Sequence, residues 1–473
     1  MGVSRRACIR GRRFDRWWLA AAGLTLLAAW WSAAHAWARW VNYETSAFDL
    51  AFFDQIIWNV SQGNGWDSTF IDYSFLGQHA EPVLLLFVPA YWMGAGPPLL
   101  MLTQNLVAAA AAVPLFGAAR RAGLAPAAAL AAAAGYLMNP YLHRGADFDF
   151  HPEVMVGLPV FASAWAAFAG RPRLAAGLAL ATLALKEDAA FAAMFLGVLL
   201  WTRGYRAGGA WTAGLAAAYL VVVVGLVMPW ARDGADSDLV ARFGHIAGGT
   251  TDGGVVRAIL LHPWEVPRAF ITEGGWWSVL LCAAVTSVCA FRRPVLVVAA
   301  LPVLVLAALS GHTPQAELEF HYAANGLPLL IVAGIVGAAA MGRWRWVAPV
   351  VLVAPAVAGF LAFSPLRPWL GDDPRSAEDR AALAAALDVV PADARVAAQS
   401  NVLARLTHRR KAYEFPDSVA RAEWFVFDDG GHRSSQSLAG GFAAERARLE
   451  PLTERVFAKA GVEVRRRIAA DPP

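Results

Sequence analysis

Carboxylates and imidazoles gather in a few short stretches of an otherwise apolar chain: Glu44, Asp49 and Asp54, then His79 and Glu81, then Asp147, Asp149, His151 and Glu153, then His321 beside Tyr322. A further stretch, Lys186-Glu187-Asp188, holds the only lysine before residue 400. Such groups take protons, bind hydroxyls or hold a cation, so acid–base chemistry on a polar substrate is the class they suggest. Asp49 opens a run in which Leu50, Phe53, Ile56, Ile57 and Val60 recur at helical spacing, which predicts an amphipathic helix from 49 to 60 along the membrane interface. An N-cap would use Asp49 equally well. On that helix Asp54 is turned about 140° from Asp49, so the two do not make a dyad. His79 and Glu81 precede Pro82 and an apolar stretch, and His151-Pro152-Glu153 repeats the arrangement, where an acid would also suit a helix N-terminus. Lys186, Glu187 and Asp188 sit between two apolar runs too short to span comfortably. Ionisable residues at that depth are costly and usually face an interior site, although a solvated hairpin tip with a local ion pair would also place them there.

The elements that must position these residues are membrane helices. Of 473 residues, 58% are hydrophobic and 16% charged, with 20 Trp and 25 Phe, which excludes a purely soluble protein, a disordered chain, a disulfide scaffold and a β-barrel. Cys8, Cys282 and Cys289 lack metal-ligand or CxxC spacing. Among 40 Lys and Arg, all but Lys186, Lys411 and Lys459 are Arg, spread in pairs between apolar runs, which reports topology and not a nucleic-acid partner. Arg5, Arg6, Arg10, Arg12, Arg13 and Arg16 precede the first run, and Arg120-Arg121, Arg171 with Arg173, Arg203 with Arg206, Arg292-Arg293 and Arg343 with Arg345 mark later turns. Placing these inside predicts about eleven spans, near 17–36, 99–119, 126–142, 154–170, 174–186, 189–202, 209–230, 276–291, 294–310, 325–342 and 346–363. The N-terminus is then cytoplasmic, the C-terminus is outside, and the polar groups collect on the outer face of a bacterial plasma membrane.

The chain accordingly divides into a mainly α, polytopic membrane domain at 1–365, with a long first outer loop at 38–81, and a soluble outer α/β domain at 366–473. Pro365, Pro368, Gly371 and Pro374 mark the junction. Within the tail, 376–389 and 401–407 look helical and 395–398, 411–415 and 423–427 strand-like. His312, Glu317 and Glu319 are expected on a loop surface.

Taken in order, FDLAFFDQIIWN (48–59), HAEPVLLLFVPAY (79–91), DFHPE (149–153), KED (186–188), HY (321–322) and PADARVAAQSNVLARLTHRRKAYEFP (391–416) resemble the bacterial membrane family catalogued as domain of unknown function 2079. That family in turn resembles the lipid-linked glycosyltransferases of the GT-C fold, whose first outer loop bears one or two acids on a juxtamembrane helix before a Pro-rich return. Glu44, Asp49 and Asp54 with His79-Ala80-Glu81-Pro82 match that layout, although Phe48-Asp49-Leu50-Ala51 stands where the usual version has an acid pair followed by Arg-Tyr-Ala. The resemblance implies transfer of a sugar from a polyprenyl-phosphate donor to an outer acceptor hydroxyl. Asp49, with Asp54 as rival and Glu187 as a further acid, would then be catalytic. His79, Glu81, His151, Glu153, Lys186, Asp188, His321 and Tyr322 would bind substrate. Lys186 or a divalent cation would stabilise the departing lipid phosphate. No nucleotide-binding glycine loop is evident, in keeping with a lipid donor. The competing classes are a transporter or flippase, disfavoured because no inverted repeat is visible and the polar groups gather at one face, and a non-catalytic relative that only binds polyprenyl lipid.

Overall fold

The computed structural model describes residues 16–366, 375–417, 419–429 and 441–469. Cys8, the N-terminal arginines before Arg16, and the linker residues Pro368, Gly371 and Pro374 lie outside them. Proline and glycine punctuate the apolar runs and set where helices start and stop. Pro97, Pro126, Pro172 and Pro294 each open a helix, where a missing N–H costs nothing. At two of the Arg-marked turns Gly170 and Gly204 take positive φ just past the helices Gly157–Phe168 and Ala190–Thr202.

A helix lies within each of the eleven expected spans. Four are long and apolar enough to cross a membrane by themselves: Arg16–Val41, Pro97–Arg121, Arg206–Arg232 and Gly342–Phe363. The pair Glu265–Thr272 and Gly275–Thr286, bent by 74°, would make a fifth. The others are shorter, among them Pro126–Leu137, Pro152–Phe168, Pro172–Ala184, Pro294–Ala308 and Leu327–Ala339. The expected 126–142 span breaks at Asn139, whose side chain accepts from the Tyr141 N–H and starts a new helix at Pro140. Ala190–Thr202 crosses Arg206–Val222 closely: a Cβ on Gly197 would lie 2.7 Å from the Gly209 carbonyl oxygen, so glycine permits the approach. Three helices between the expected spans, Asp238–Ala247, Asp252–Leu261 and Glu265–Thr272, are not anticipated by the hydropathy pattern.

The first helix runs on to Val41, which shortens the loop expected from 38. The helix expected at 49–60 also differs. It begins with a wide turn, Ala47–Ala51, and continues as Phe52–Ser61, so Ser46 and not Asp49 occupies the cap position. Nor does it lie on a membrane surface: Leu50, Phe53, Ile56 and Ile57 are buried, and so are Asp54, Gln55 and Asn59 on the other faces. The C-terminal α/β region covers it. That region is a five-stranded sheet ordered β2-β1-β3-β5-β4, from β1 (Val396–Ala398), β2 (Ala412–Glu414), β3 (Trp424–Asp428), β4 (Thr453–Lys459) and β5 (Val462–Arg467). The first three strands are parallel, and β5 pairs antiparallel with both β3 and β4. Ala460 and Gly461, both at positive φ, close the β4–β5 hairpin. The tail helix expected at 376–389 is Ala377–Val389, whereas that expected at 401–407 is only Ser400–Leu403.

Candidate active site

The wide turn at Ala47–Ala51 faces the segment that precedes the Pro152–Phe168 helix. Ser46 donates its hydroxyl to Asp49 Oδ2 at 2.8 Å and its backbone N–H to Asp149 Oδ2 at 2.5 Å. Arg39, at the end of the first helix, ion-pairs Asp149 at 2.9 Å, and His35 meets Asp147 at 2.6 Å. Asp149 sits at φ +46°, in the left-handed region that Asp tolerates better than most non-glycine residues, and Gln104 holds the turn by donating to the Gly145 and Asp149 carbonyls and accepting from the His151 N–H. His151 is thereby aimed: Nε2 lies 3.2 Å from Asp49 Oδ1 and Nδ1 3.2 Å from the Phe148 carbonyl.

His151 stacks on His321 with centroids 3.6 Å apart, and His321 in turn packs on Tyr322 at 4.2 Å. Two imidazolium rings so placed would repel each other. The environment resolves this by splitting them. Burial pulls His151 down, but the hydrogen bond and charge of Asp49, with Glu153, outweigh it and raise its pKa. Burial and the charges of His151 and Lys186 hold His321 far below its ordinary value. The environment of the stack therefore favours a proton on His151 over one on His321.

His321 Nε2 stands 3.5 Å from Glu153 Oε1, the same oxygen that accepts from Lys186 Nζ at 2.6 Å. Lys186 and Glu187 are buried, which removes the solvated hairpin tip as an account of them. Glu187 accepts from the Ala80 N–H at 3.0 Å and meets His79 Nδ1 at 2.9 Å, pinning the returning loop. Asp188 accepts from Asn325 at 2.7 Å. Glu81 is fully buried, and neither of its oxygens has a hydrogen-bond partner among the described residues. Burial, then the Glu153 charge, push its carboxyl well above the usual carboxylate range. Asp49, His79, Glu81, His151, Glu153, Lys186, Glu187, Asp188, His321 and Tyr322 are thus linked by contact or by charge in one place. His312 and Glu317 are exposed and Glu319 half-buried.

Asp54 is elsewhere. Its carboxylate accepts from Tyr91 Oη at 2.6 Å and from the Thr407 hydroxyl, and meets His408 at 3.3 Å, so it belongs to the seam with the C-terminal region. Along that seam Gln55 donates to the Arg409 carbonyl, Thr69 to the Ala412 carbonyl, and Ala47 N–H to Ser400 Oγ at 2.9 Å. Ser400, which reaches the turn of Asp49 from the tail, lies in the 391–416 segment but is not among the expected site residues. Among the described residues no three His, Cys, Asp or Glu side chains are grouped to hold a metal ion.

The family model described as "Predicted membrane protein (DUF2079)" matches residues 39–444. The chain belongs to that family. The match takes in every motif above, from the Asp49 turn to Glu414. No curated protein matches by sequence. Among solved structures, ArnT from Cupriavidus metallidurans, determined bound to undecaprenyl phosphate, aligns over 97% of this chain and 99% of its own at 12% identity and a TM-score of 0.50. The Archaeoglobus fulgidus oligosaccharyltransferase, in complex with Zn and sulfate, aligns over 95% of this chain and 73% of its own at 12% identity and a TM-score of 0.41. At that identity the likeness to ArnT speaks for fold: this is a polytopic helical membrane protein of GT-C-like architecture with a small C-terminal sheet.

Proposed function

We propose that this DUF2079 protein is a GT-C-type glycosyltransferase that moves a sugar from a polyprenyl phosphate to an extracytoplasmic hydroxyl, with Asp49 as the base. The observation that carries the reading is the aimed Asp49–His151 pair joined through His321 and Glu153 to Lys186. ArnT, the fold neighbour with matching extent, was solved with undecaprenyl phosphate, which supports a lipid donor.

In the reaction, the acceptor oxygen attacks the anomeric carbon while Asp49 takes its proton, and the sugar–phosphate bond breaks with its electron pair leaving on the lipid phosphate. Asp49 has the lone pairs for this, because His151 and the Ser46 hydroxyl occupy only two of about four acceptor positions on a carboxylate. Lys186 and the His151 imidazolium are the cations that would meet the phosphate. Four acids surround Lys186, and burial, which disfavours the charged form of Glu81, together with the hydrogen bonds that Glu187 and Asp188 already accept, eases the entry of a phosphate there. Glu153 would release Lys186 as the phosphate takes its place. His79 and Glu187 position the returning loop, and Tyr322 flanks the stacked rings for the sugar. The acidic face is extracytoplasmic and the C-terminal region lies outside, as the arginine turns imply.

Mass spectrometry of polyprenyl-linked sugars and envelope glycans in a deletion strain tests this. A lipid-linked sugar should accumulate as one glycan decoration disappears, restored by the wild-type gene and not by Asp49→Asn. Unchanged glycans, or full rescue by Asp49→Asn at equal protein level, would refute it.

A further inference from the structure

The two turns that meet at the Asp49–His151 contact are gripped by one residue outside it. Arg39, in the last turn of the first helix, is largely buried, and its guanidinium reaches both turns. Nη2 donates to the Glu44 carbonyl at 2.8 Å, just ahead of the Asp49 turn, and pairs with Asp149 Oδ1 at 2.9 Å. Nη1 donates to the Asp147 carbonyl, and Nε stands 3.8 Å from the Asp147 carboxylate, which His35 meets from one turn earlier on the same helix. Asp149 passes the grip on, because its other oxygen accepts the Ser46 N–H at 2.5 Å while the Ser46 hydroxyl donates to Asp49 Oδ2 at 2.8 Å. Asp49 Oδ1 is then left to face His151 Nε2 at 3.2 Å. The contacts from Arg39 to His151 thus form an unbroken series. The segment between helix and turn is also held from its other side: the Arg405 guanidinium lies 3.9 Å from the Trp40 ring centre and 3.8 Å from that of Tyr43, and Arg375 donates to the Asn42 carbonyl at 2.7 Å.

We propose that Arg39 is a positioning residue, a clamp that sets the Asp49 carboxylate against His151 by holding the 44–49 and 147–151 segments together. It touches neither member of that pair. The clamp stands on contacts alone, while its service to catalysis rests on the transferase reading. A base works only when held close to the geometry of its acceptor hydroxyl, and Asp49 and His151 come from segments that follow different helices, so something must fix one segment against the other. The task calls for a fork. A guanidinium carries five N–H donors in one plane, so one side chain reaches two backbone carbonyls and two carboxylates together, whereas the Lys ammonium is a point charge with three donors on a flexible stem. An ion pair that served stability alone would need one acid. Arg39 meets Asp147, Asp149 and the Glu44 carbonyl, which lie on both sides of the contact it closes, and Asp149 is the one that reaches on to Ser46.

The test uses the full chain in lipid nanodiscs with isotope-labelled histidine read by NMR, the His151 resonance being the one that vanishes in His151→Gln. Its titration midpoint should fall in Asp49→Asn, and should fall toward the same value in Arg39→Lys, which keeps the charge and loses the fork. Combined with Asp49→Asn, Arg39→Lys should add no further shift, because both act through one contact. Lost packing alone would lower stability without producing that pattern. A midpoint unmoved by Arg39→Lys, or moved as far with Asp49 replaced as with it present, overturns the clamp. In cells, Arg39→Lys at equal protein level should cut glycan product at least about tenfold, since misplacing a reacting group by about 1 Å costs up to about a hundredfold. Loss of glycan in Asp49→Asn with none in Arg39→Lys would sink this inference and leave the transferase reading standing. Glycans unchanged in the deletion strain would sink that reading and leave the titration to decide whether the clamp exists. Should Arg39→Lys fail to fold, Asp149→Asn keeps Arg39, leaves one acceptor oxygen where the series needs two, and is read by the same titration.

Discussion

Replacing Asp54 separates a carboxylate that does chemistry from one that holds two parts of the molecule together. Asp54 is fully buried and accepts from Tyr91, Thr407 and His408. In Asp54→Ala the Thr407 hydroxyl keeps a bond to the Ala404 carbonyl at 3.1 Å, and the half-exposed His408 finds water, so neither loss is large. Tyr91 is the exception, since its ring is buried and Asp54 is the partner recorded for its hydroxyl. A stranded buried donor costs about 1–3 kcal/mol, and the lost hydrogen bonds to a charge add about as much as one such term again, so the seam should weaken by about 3 kcal/mol. At about 1.4 kcal/mol per tenfold, exchange-competent opening of residues 400–414 should rise about a hundredfold. Hydrogen–deuterium exchange on the full chain in nanodiscs measures that, with Ala377–Val389 as internal control. Asp49→Asn should leave the same peptides protected while abolishing glycan transfer. The reasoning fails if Asp54→Ala leaves exchange at 400–414 unchanged, or if Asp54→Asn abolishes transfer per folded molecule with the seam still protected; in the second case Asp54 would be the base.

Three further outcomes are expected. A reporter that fluoresces only in the cytoplasm, fused after Pro473, should stay dark, and fluorescence would place the acidic face on the wrong side of the membrane. Lys186→Met leaves Glu153 and its acidic neighbours buried without their cation, and should destabilise the solubilised chain by about 3–5 kcal/mol, with Lys186→Met/Glu153→Gln recovering part of the loss; a single variant as stable as the wild type would show the pair is not buried as described. Because Asp49 and Glu153 raise His151 above its unfolded value, the stability it contributes is fully present below about pH 6.5 and is lost as pH rises through its folded value. Thermal melts of Asp49→Asn should show that slope flattened, and an identical slope would refute the pairing.

The helices were legible because a membrane demands a long apolar run and leaves arginine at its turns, and each expected span indeed contains a helix. Their lengths were less legible. Prolines such as Pro140 and Pro172 divide runs that composition alone reads as continuous. The helices from Asp238 to Thr272 left no such mark because each is short and mixes charged residues with apolar ones, so none forms a continuous apolar run. The β4–β5 hairpin was hidden for another reason: its outer face is Glu454, Arg466 and their neighbours, paired by charge, which leaves little more than Val462 and Val464 to show a period of two.

The site divides along the same physical line. Residues brought together by helix ends facing one another could be read as a set, since Glu81, Glu153 and Lys186 each stand beside an apolar run. What joins segments more than 350 positions apart could not. Thr407 on Asp54 and Ser400 on Ala47 are small hydroxyls of no distinctive pattern, and their meaning comes wholly from what the fold sets against them. Asp49 shows how the two kinds of information combine. The sequence places an acid at the head of a helix, where it would serve equally as a cap or as a base. Ser46 takes the cap position, and His151, fixed by Phe148 and Gln104, approaches the acid from a different helix. A capping residue needs only its own helix. That a second segment, turning at Asp149, is held in place to bring His151 to Asp49 is a contact that capping alone does not explain, and it is what the proposed role of Asp49 rests on.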